Sequence, residues 1–234
     1  MAGGGLSNAK WAGTLGPTMN LPREFSAVVL AGGRSRRMGG DKALLAGAGD
    51  GGPLWRRQRD VVRAAGATEV LLSVRAEQAW RREAEGFDGQ VLDALEVGGP
   101  LIGVTAGLER AAHGHLAVLA IDLPRMQAGW FATLWAACGA GVGVVGRRTD
   151  AGGYFEPLAA IYPKALMLTA GEALVRGEFS LQRFVAAAVA EGKMRVREIG
   201  PAEAPLFENW NEPADVRPPP QAYRSSVHGS APFE

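Results

Sequence analysis

The sequence has few of the residues that build disulfides, zinc clusters or broad charged surfaces. One cysteine, Cys138, and three histidines provide neither an internal disulfide nor a clustered His/Cys set for zinc. The 25 lysines and arginines nearly balance the 24 aspartates and glutamates, for a formal charge of +1. The basic surface of a dedicated nucleic-acid-binding protein is therefore missing. Any phosphate site must be built from a local cluster of charge.

Long apolar runs are also missing. No segment approaches the roughly 20 apolar residues that a membrane-spanning helix needs. Residues 1–24 contain no apolar stretch of about 7 to 15 residues behind a basic start, which argues against a secretory signal. The sequence therefore predicts a cytoplasmic protein with neither a membrane nor a nucleic acid as partner, and a single cysteine suits that reducing compartment.

The composition predicts one folded domain between two tails. With 47% hydrophobic and 21% charged residues, the chain can fold around a single core. Residues 1–24 are glycine-rich and aperiodic, and residues 217–234 are rich in proline and serine. We predict that both tails are disordered and that residues 25–216 form the domain.

Within that domain, short apolar runs alternate with longer stretches rich in alanine, leucine and arginine. This pattern predicts an α/β fold with a Rossmann-like, mainly parallel but mixed sheet and helices on both faces. Strands are predicted at residues 25–31, 69–74, 90–93, 116–121, 142–145 and 157–162, and helices at 53–66, 104–112 and 180–191. Polar or charged residues stand at or just after the carboxyl ends of three of these strands. Since ligands collect outside the carboxyl ends of strands in such sheets, we expect these three ends to face one crevice.

The first of these ends is a glycine-arginine loop, residues 32–41, which follows the apolar run 25–31. The segment 30–42 contains four glycines, three arginines and Lys42. Glycines let backbone N–H groups approach phosphate oxygens, arginine supplies forked donors, and lysine supplies a mobile positive charge. The loop therefore predicts an anion site, with a solvated basic turn as the alternative.

Two common phosphate-binding motifs do not fit this loop. A dinucleotide-binding fingerprint requires GxGxxG at the start of a helix, whereas here paired glycines flank a basic stretch. A Walker A loop requires GxxxxGK before serine or threonine, but Asp41 separates Gly40 from Lys42, and Ala43 follows. The loop belongs to neither type.

The other two strand ends carry carboxylates. Asp122 follows the apolar run 116–121 and precedes Pro124, where it could bind a hard cation through oxygen. It could also simply cap the turn before the proline. Asp93 follows the strand predicted at 90–93 and precedes the segment GPLIG at 99–103. The alternative for Asp93 is an ordinary loop residue beside a tight turn.

Taken together, these segments resemble one family. The run 30–42 resembles the LAGGxSxRMGxDK signature of bacterial molybdenum cofactor guanylyltransferases, within the superfamily of sugar-nucleotide and molybdopterin nucleotidyltransferases. Residues 122–124 match its D-x-P element, and Asp93 with GPLIG matches its D-x(n)-GPLxG element. Residues 156–162 resemble EPLxAxY, and residues 207–213 resemble FxNxNTP with Glu212 in place of threonine. The resemblance covers residues 25–216.

The resemblance implies roles for individual residues. It assigns nucleotide binding to the loop and to two carboxylates, catalysis to three charged residues, and Mg²⁺ binding to one carboxylate. The nucleotide-binding residues are Leu30, Ala31, Gly32, Gly33, Lys42, Asp93 and Asp122, the catalytic residues are Arg37, Lys42 and Asp122, and the metal ligand is Asp122. Asn211 could reach the metal or the acceptor, or could form a structural turn before Pro213.

The resemblance also implies a reaction, the transfer of GMP from GTP to the terminal phosphate of molybdopterin, with release of pyrophosphate. Gly32 stands where related cytidylyltransferases carry alanine, which favours guanine over cytosine. An accessory GTP-binding protein and apo-molybdoenzymes are implied as further partners. Two alternatives stay open: a nucleotidyltransferase of the same fold that uses CTP or another phosphorylated acceptor, and a non-catalytic GTP-binding regulator of molybdoenzyme maturation.

Overall fold

A computed structural model describes residues 24–33, 40–46, 51–92, 99–149, 152–210 and 215. Within these residues, seven strands form one mixed sheet in the order β3-β2-β1-β4-β6-β5-β7. The strands are β1 (Ser26–Leu30), β2 (Glu69–Val74), β3 (Gly89–Leu92), β4 (His115–Ala120), β5 (Gly143–Arg148), β6 (Phe155–Pro163) and β7 (Met194–Ile199). Only β6 among them runs antiparallel to its neighbours. The carboxyl ends of the other six therefore lie at one edge of the sheet.

Helices cover both faces of this sheet. They are α1 (Leu54–Ala64), α2 (Pro100–Arg110), α3 (Ala128–Ala137), α4 (Met167–Val175) and α5 (Leu181–Ala190). The apolar side chains of α1 and α3 pack in one core cluster, and those of α2, α4 and α5 pack in a second. Alternate residues of β1 divide between the two, with Val29 in the first cluster and Val28 in the second. The predicted α/β fold is confirmed.

Several predicted elements match and one helix start was wrong. The strand predicted at 69–74 coincides with β2. Helix α2 begins at Pro100, earlier than the predicted 104, because Gly99 takes a φ of +66° at the N-cap and proline suits the first helical turn. The GPLIG segment is therefore mostly helical and not a loop. Helix α4 and strand β7 had not been predicted.

The α-helices of the described residues are short, with 9 to 11 residues each. No helix within the described ranges is long and apolar enough to cross a membrane. Apart from Glu24, the predicted tails at 1–24 and 217–234 lie outside the described residues, so the domain limits stay predictions.

Candidate nucleotide and metal site

The structure brings Lys42 and Asp122 together at the carboxyl edge of the sheet. Lys42 begins a short 3₁₀ helix, Lys42–Leu44, that follows the glycine-arginine loop, and Asp122 lies just beyond β4. Strands β1 and β4 are parallel neighbours, and the backbone N–H of Ile121 donates to Leu30 O at 3.0 Å. Lys42 Nζ lies 3.7 Å from Asp122 Oδ2. Two residues that are far apart in the sequence thus form one charged pair.

This charged pair is partly shielded from solvent. The Lys42 and Asp122 side chains are 11% and 27% exposed. Burial raises the pKa of the Asp122 carboxyl above its ordinary value, and the positive charge of Lys42 opposes that rise. The carboxylate is therefore poorly solvated and has a single cation beside it in the described region. Such a group gains from a further positive charge nearby.

Gln58, on the inner face of α1, holds the chain on both sides of Asp122. Its Nε2 donates to Ala120 O at 3.1 Å and to Leu123 O at 2.8 Å. Gln58 is fully buried, and its Oε1 has no hydrogen-bond partner among the described residues. The amide nitrogen therefore donates to two main-chain carbonyls, while the amide oxygen stays buried and unsatisfied.

The Asp122 loop, residues 121–126, is also held by a second residue of α1 and by the C-terminal segment. Arg57 of α1 donates from Nε to Pro124 O, and from Nη2 to Met126 O at 3.1 Å. The backbone N–H of Trp210 donates to Asp122 O at 3.0 Å. Helix α1 and the C-terminal segment thus hold this loop through its carbonyl groups.

The C-terminal segment is itself anchored to the sheet. Phe207 packs edge-on against Trp130, with ring centroids 4.9 Å apart. Arg197 of β7 lies 4.7 Å from the centroid of the same indole and forms two hydrogen bonds to Glu203, at 3.0 and 2.6 Å. These contacts fix the segment that leads to Trp210.

Residues that follow β2 hold both ends of the glycine-arginine loop. Arg75 donates to Gly32 O, and Gln78 Nε2 donates to Ala31 O at 3.0 Å. The same Nε2 donates to Asp41 Oδ2 at 2.5 Å, at the other end of the loop. Trp80 Nε1 donates to this oxygen as well, at 2.7 Å. The loop is thus tied where it leaves β1 and again next to Lys42.

The structure places most of the predicted site residues at this edge. Leu30 ends β1 and is buried, Ala31 is buried, and Gly32 and Gly33 are increasingly exposed. Because the N–H of Ile121 donates to Leu30 O, this segment lies at the same edge of the sheet as Asp122. Arg37, Asp93 and Asn211 lie outside the described residues, so their predicted roles stay predictions.

Sequence reasoning missed the residues behind the site. It gave no role to Trp80, whose indole donates to Asp41. It gave no role to Arg57, Gln58 or Gln78, whose partners lie tens of residues away. No local pattern in the sequence marks these glutamines, because their burial, and with it their need for a partner, is set by tertiary packing.

The residues that sequence reasoning set aside lie elsewhere. His115 is buried at the start of β4, the end opposite Asp122, with Nε2 3.2 Å from Val142 O. Cys138 is buried at the end of α3, and burial raises its pKa to about 12. A thiol with that pKa stays protonated and is a poor nucleophile.

Comparison with known proteins identifies the family of this chain. The sequence model of the MobA-like NTP transferase domain matches residues 27–192. A protein named probable molybdenum cofactor guanylyltransferase, from Opitutus terrae, is 47% identical over 194 residues, which cover 82% of this chain and 92% of that one. The molybdenum cofactor guanylyltransferase of Pseudomonas putida strain F1 is 33% identical over 168 residues, 71% of this chain and 85% of that one. The chain belongs to the molybdenum cofactor guanylyltransferase family of MobA-like NTP transferases.

A solved structure supports the fold of this family member. The structure of molybdopterin-guanine dinucleotide biosynthesis protein A from Archaeoglobus fulgidus superposes with a TM-score of 0.61. The superposition covers 82% of this chain and 94% of that one at 21% identity. The protein is a nucleotidyltransferase enzyme, and its candidate site lies where an open α/β sheet binds ligands.

Proposed function

We propose that the enzyme transfers GMP from GTP to the terminal phosphate of molybdopterin, in its molybdenum-loaded form, to give molybdopterin guanine dinucleotide and pyrophosphate. Two relatives named molybdenum cofactor guanylyltransferase support this reaction. The observation that carries it is the Lys42–Asp122 pair, which places a cation suited to phosphate beside a carboxylate suited to a metal ion. Lys42 follows a glycine-rich segment of the sequence, and glycines let the backbone approach phosphates closely.

The reaction is a direct displacement at the α-phosphorus of GTP. An oxygen of the acceptor's terminal phosphate forms the new P–O bond while the bond to pyrophosphate breaks, and pyrophosphate leaves with the bonding electrons. Lys42 binds the triphosphate and offsets the charge that develops on the leaving group. No enzyme nucleophile is required, and the site holds its reactants in line.

Asp122 fits the role of a Mg²⁺ ligand. It is a partly shielded carboxylate at the sheet edge, and the described residues contain no group of three or more His, Cys, Asp or Glu side chains around a common point. Mg²⁺ suits such a site, because it commonly takes one or two carboxylates together with substrate phosphates and water. When bound, Mg²⁺ supplies positive charge at the phosphate oxygens. Gln58 and Trp210 bind main-chain carbonyls at and around Asp122, and so fix the backbone that carries this carboxylate.

The remaining assignments are part of the same proposal. Leu30, Ala31, Gly32 and Gly33 contact the nucleotide, with Gly32 leaving room for a purine. Arg37 binds the phosphates, and Asp93 contacts the nucleoside. An accessory GTP-binding protein and apo-molybdoenzymes are the proposed partners, and the cytoplasm is the proposed location.

One experiment tests the reaction against its alternatives. The full chain is incubated with Mg²⁺, molybdopterin and either GTP or CTP, and both pyrophosphate and the dinucleotide product are measured. We expect product with GTP and little with CTP. Equal or faster turnover of CTP would contradict the guanylyl assignment, and GTP binding without turnover would favour the regulatory alternative. Omitting molybdopterin is the control for simple GTP hydrolysis.

A further inference from the structure

Asp41 and Lys42 are neighbours in the chain, but their side chains make different contacts. Lys42 reaches Asp122 across the site, 3.7 Å away. The Asp41 carboxylate instead accepts hydrogen bonds from Gln78 at 2.5 Å and Trp80 at 2.7 Å through Oδ2. Its Oδ1 accepts from the N–H of Ala43 at 3.2 Å. Three uncharged donors thus hold a carboxylate that directly precedes the phosphate-binding lysine.

The two side-chain donors are built into the fold. Gln78 is 5% exposed and Trp80 is 7% exposed. The amide of Gln78 is used on both sides, since Oε1 accepts from the N–H of Arg75 at 2.7 Å while Nε2 also donates to Ala31 O. Trp80 lies in the 3₁₀ helix Ala79–Arg82 that follows β2. We name Asp41, Gln78 and Trp80 the Asp41 bracket.

We propose that Gln78 and Trp80 are positioning residues that act through Asp41 to direct Lys42 toward the triphosphate. This inference rests on the proposed function. Without these donors, the Asp41 carboxylate would be free to turn toward the site of the adjacent Lys42, where its negative charge would oppose the phosphates. The bracket therefore has two effects. It fixes the backbone from which Lys42 projects, and it holds the Asp41 carboxylate on its own donors, away from the phosphates.

Trp80→Phe tests the bracket with the least disturbance, because it removes one N–H donor and keeps an aromatic ring in the core. We expect affinity for Mg²⁺·GTP to fall about tenfold by calorimetry, the scale of one hydrogen bond to a charged group. Affinity for guanosine should stay at the wild-type value, because guanosine has no phosphates. The matched control is Trp135→Phe. Trp135 packs on Phe25 and His115 at the opposite edge of the sheet, and its loss should leave GTP affinity unchanged.

A double-mutant cycle with Lys42→Ala decides whether the bracket acts through the lysine. If it does, Trp80→Phe should weaken GTP binding in the wild-type background and have almost no further effect when Lys42 is absent. Wild-type GTP affinity of a folded Trp80→Phe protein would overturn the inference, and so would an equal loss in both backgrounds or an equal loss for guanosine. Gln78→Met, which keeps the length of the side chain without its amide, repeats the cycle if the tryptophan variant does not fold.

The cycle also separates this inference from the proposed function. If Lys42→Ala weakens GTP binding and Trp80→Phe and Gln78→Met do not, only the bracket is overturned. If Lys42→Ala binds GTP as the wild type does, the phosphate site of the proposed function is wrong as well.

Discussion

The two loops that meet at the Lys42–Asp122 pair are held in different ways. The Asp122 loop is fixed along its length, because Gln58, Arg57 and Trp210 together bind five of its main-chain carbonyl groups or those next to it. The described parts of the glycine-arginine loop are held at the two ends, by residues that follow β2. A metal ligand must be held at one fixed position. A phosphate-binding loop can contact phosphates through many donors, so fixing its two ends is enough.

This difference predicts separate consequences for substitutions in the two loops. Changes in or behind the Asp122 loop should act on rate, on the metal requirement and on stability. Changes at the ends of the glycine-arginine loop, and at Lys42 next to it, should weaken GTP binding, and turnover should fall together with it. Three substitutions test this separation, beginning with the largest expected effect, and a fourth gives a baseline outside both loops.

Asp122→Asn should lower the rate of GMP transfer roughly a thousandfold, because a lost metal ligand removes several kcal/mol of charge stabilisation. The melting temperature should stay the same or rise slightly, since burial already raises the pKa of this carboxyl and so disfavours its charge. Pyrophosphate release and thermal unfolding measure the two effects. A stable Asp122→Asn protein with the wild-type rate would place the metal ligand at another carboxylate.

Lys42→Ala should weaken GTP binding about 10- to 100-fold and lower turnover together with it, because the ammonium contacts phosphates in both the ground state and the transition state. Calorimetry and steady-state kinetics measure this. Arg81→Ala is the control, because Arg81 donates to exposed groups away from the pair. Its loss should change stability by no more than about 0.5 kcal/mol. Unchanged GTP affinity in Lys42→Ala would contradict the proposed phosphate site.

Gln58→Leu should cost about 2 kcal/mol of unfolding free energy, because two main-chain carbonyls lose their donor while one unsatisfied oxygen is removed. Since these carbonyls flank Asp122, the variant should also need more Mg²⁺ for half-maximal rate. Urea unfolding and a Mg²⁺ titration measure the two effects. A loss of stability with an unchanged Mg²⁺ requirement would show that Gln58 supports the fold alone. Gln90→Leu, at an exposed glutamine, is the matched control.

His115 provides a baseline at the edge opposite the site. Burial is the main cause that lowers the pKa of His115 below its ordinary value of 6.5. The unfolded chain then binds a proton that the folded chain does not, so stability is full above about pH 6.5 and falls as the pH drops below it. The expected loss is about 1 kcal/mol per pH unit until the folded-state pKa is reached. Urea unfolding at pH 7.5 and 5.5 should show this in the wild type and less of it in His115→Gln. An equal loss in both proteins would assign it to other groups.

The sequence predicted the carboxyl edge of the sheet well and its supports poorly. Apolar runs located β1, β2 and β4, and the polar residues beyond β1 and β4 identified Lys42 and Asp122 as neighbours in space. The supports depend on tertiary contacts that no local pattern reports. Gln58, for example, looks like any polar helix residue until the chain folds around it.

Strand β7 shows a second reason for such misses. Its sequence MRVREI contains two arginines and a glutamate, which obscure the alternation of a strand. Arg197 is nevertheless buried, because its guanidinium donates to the Glu203 carboxylate and lies over the indole ring of Trp130. A charge that is neutralised by tertiary contacts cannot be distinguished from a solvated one in the sequence alone.

The hydrogen bond from Trp210 to Asp122 also orders events during synthesis on the ribosome. Strands β1 to β4 have all emerged long before Trp210 does, so the parallel half of the sheet can assemble first. The carbonyl of Asp122 gains this partner only when the segment that carries Trp210 docks on the sheet. A nascent chain that has not yet reached Trp210 therefore carries the charged pair without this support.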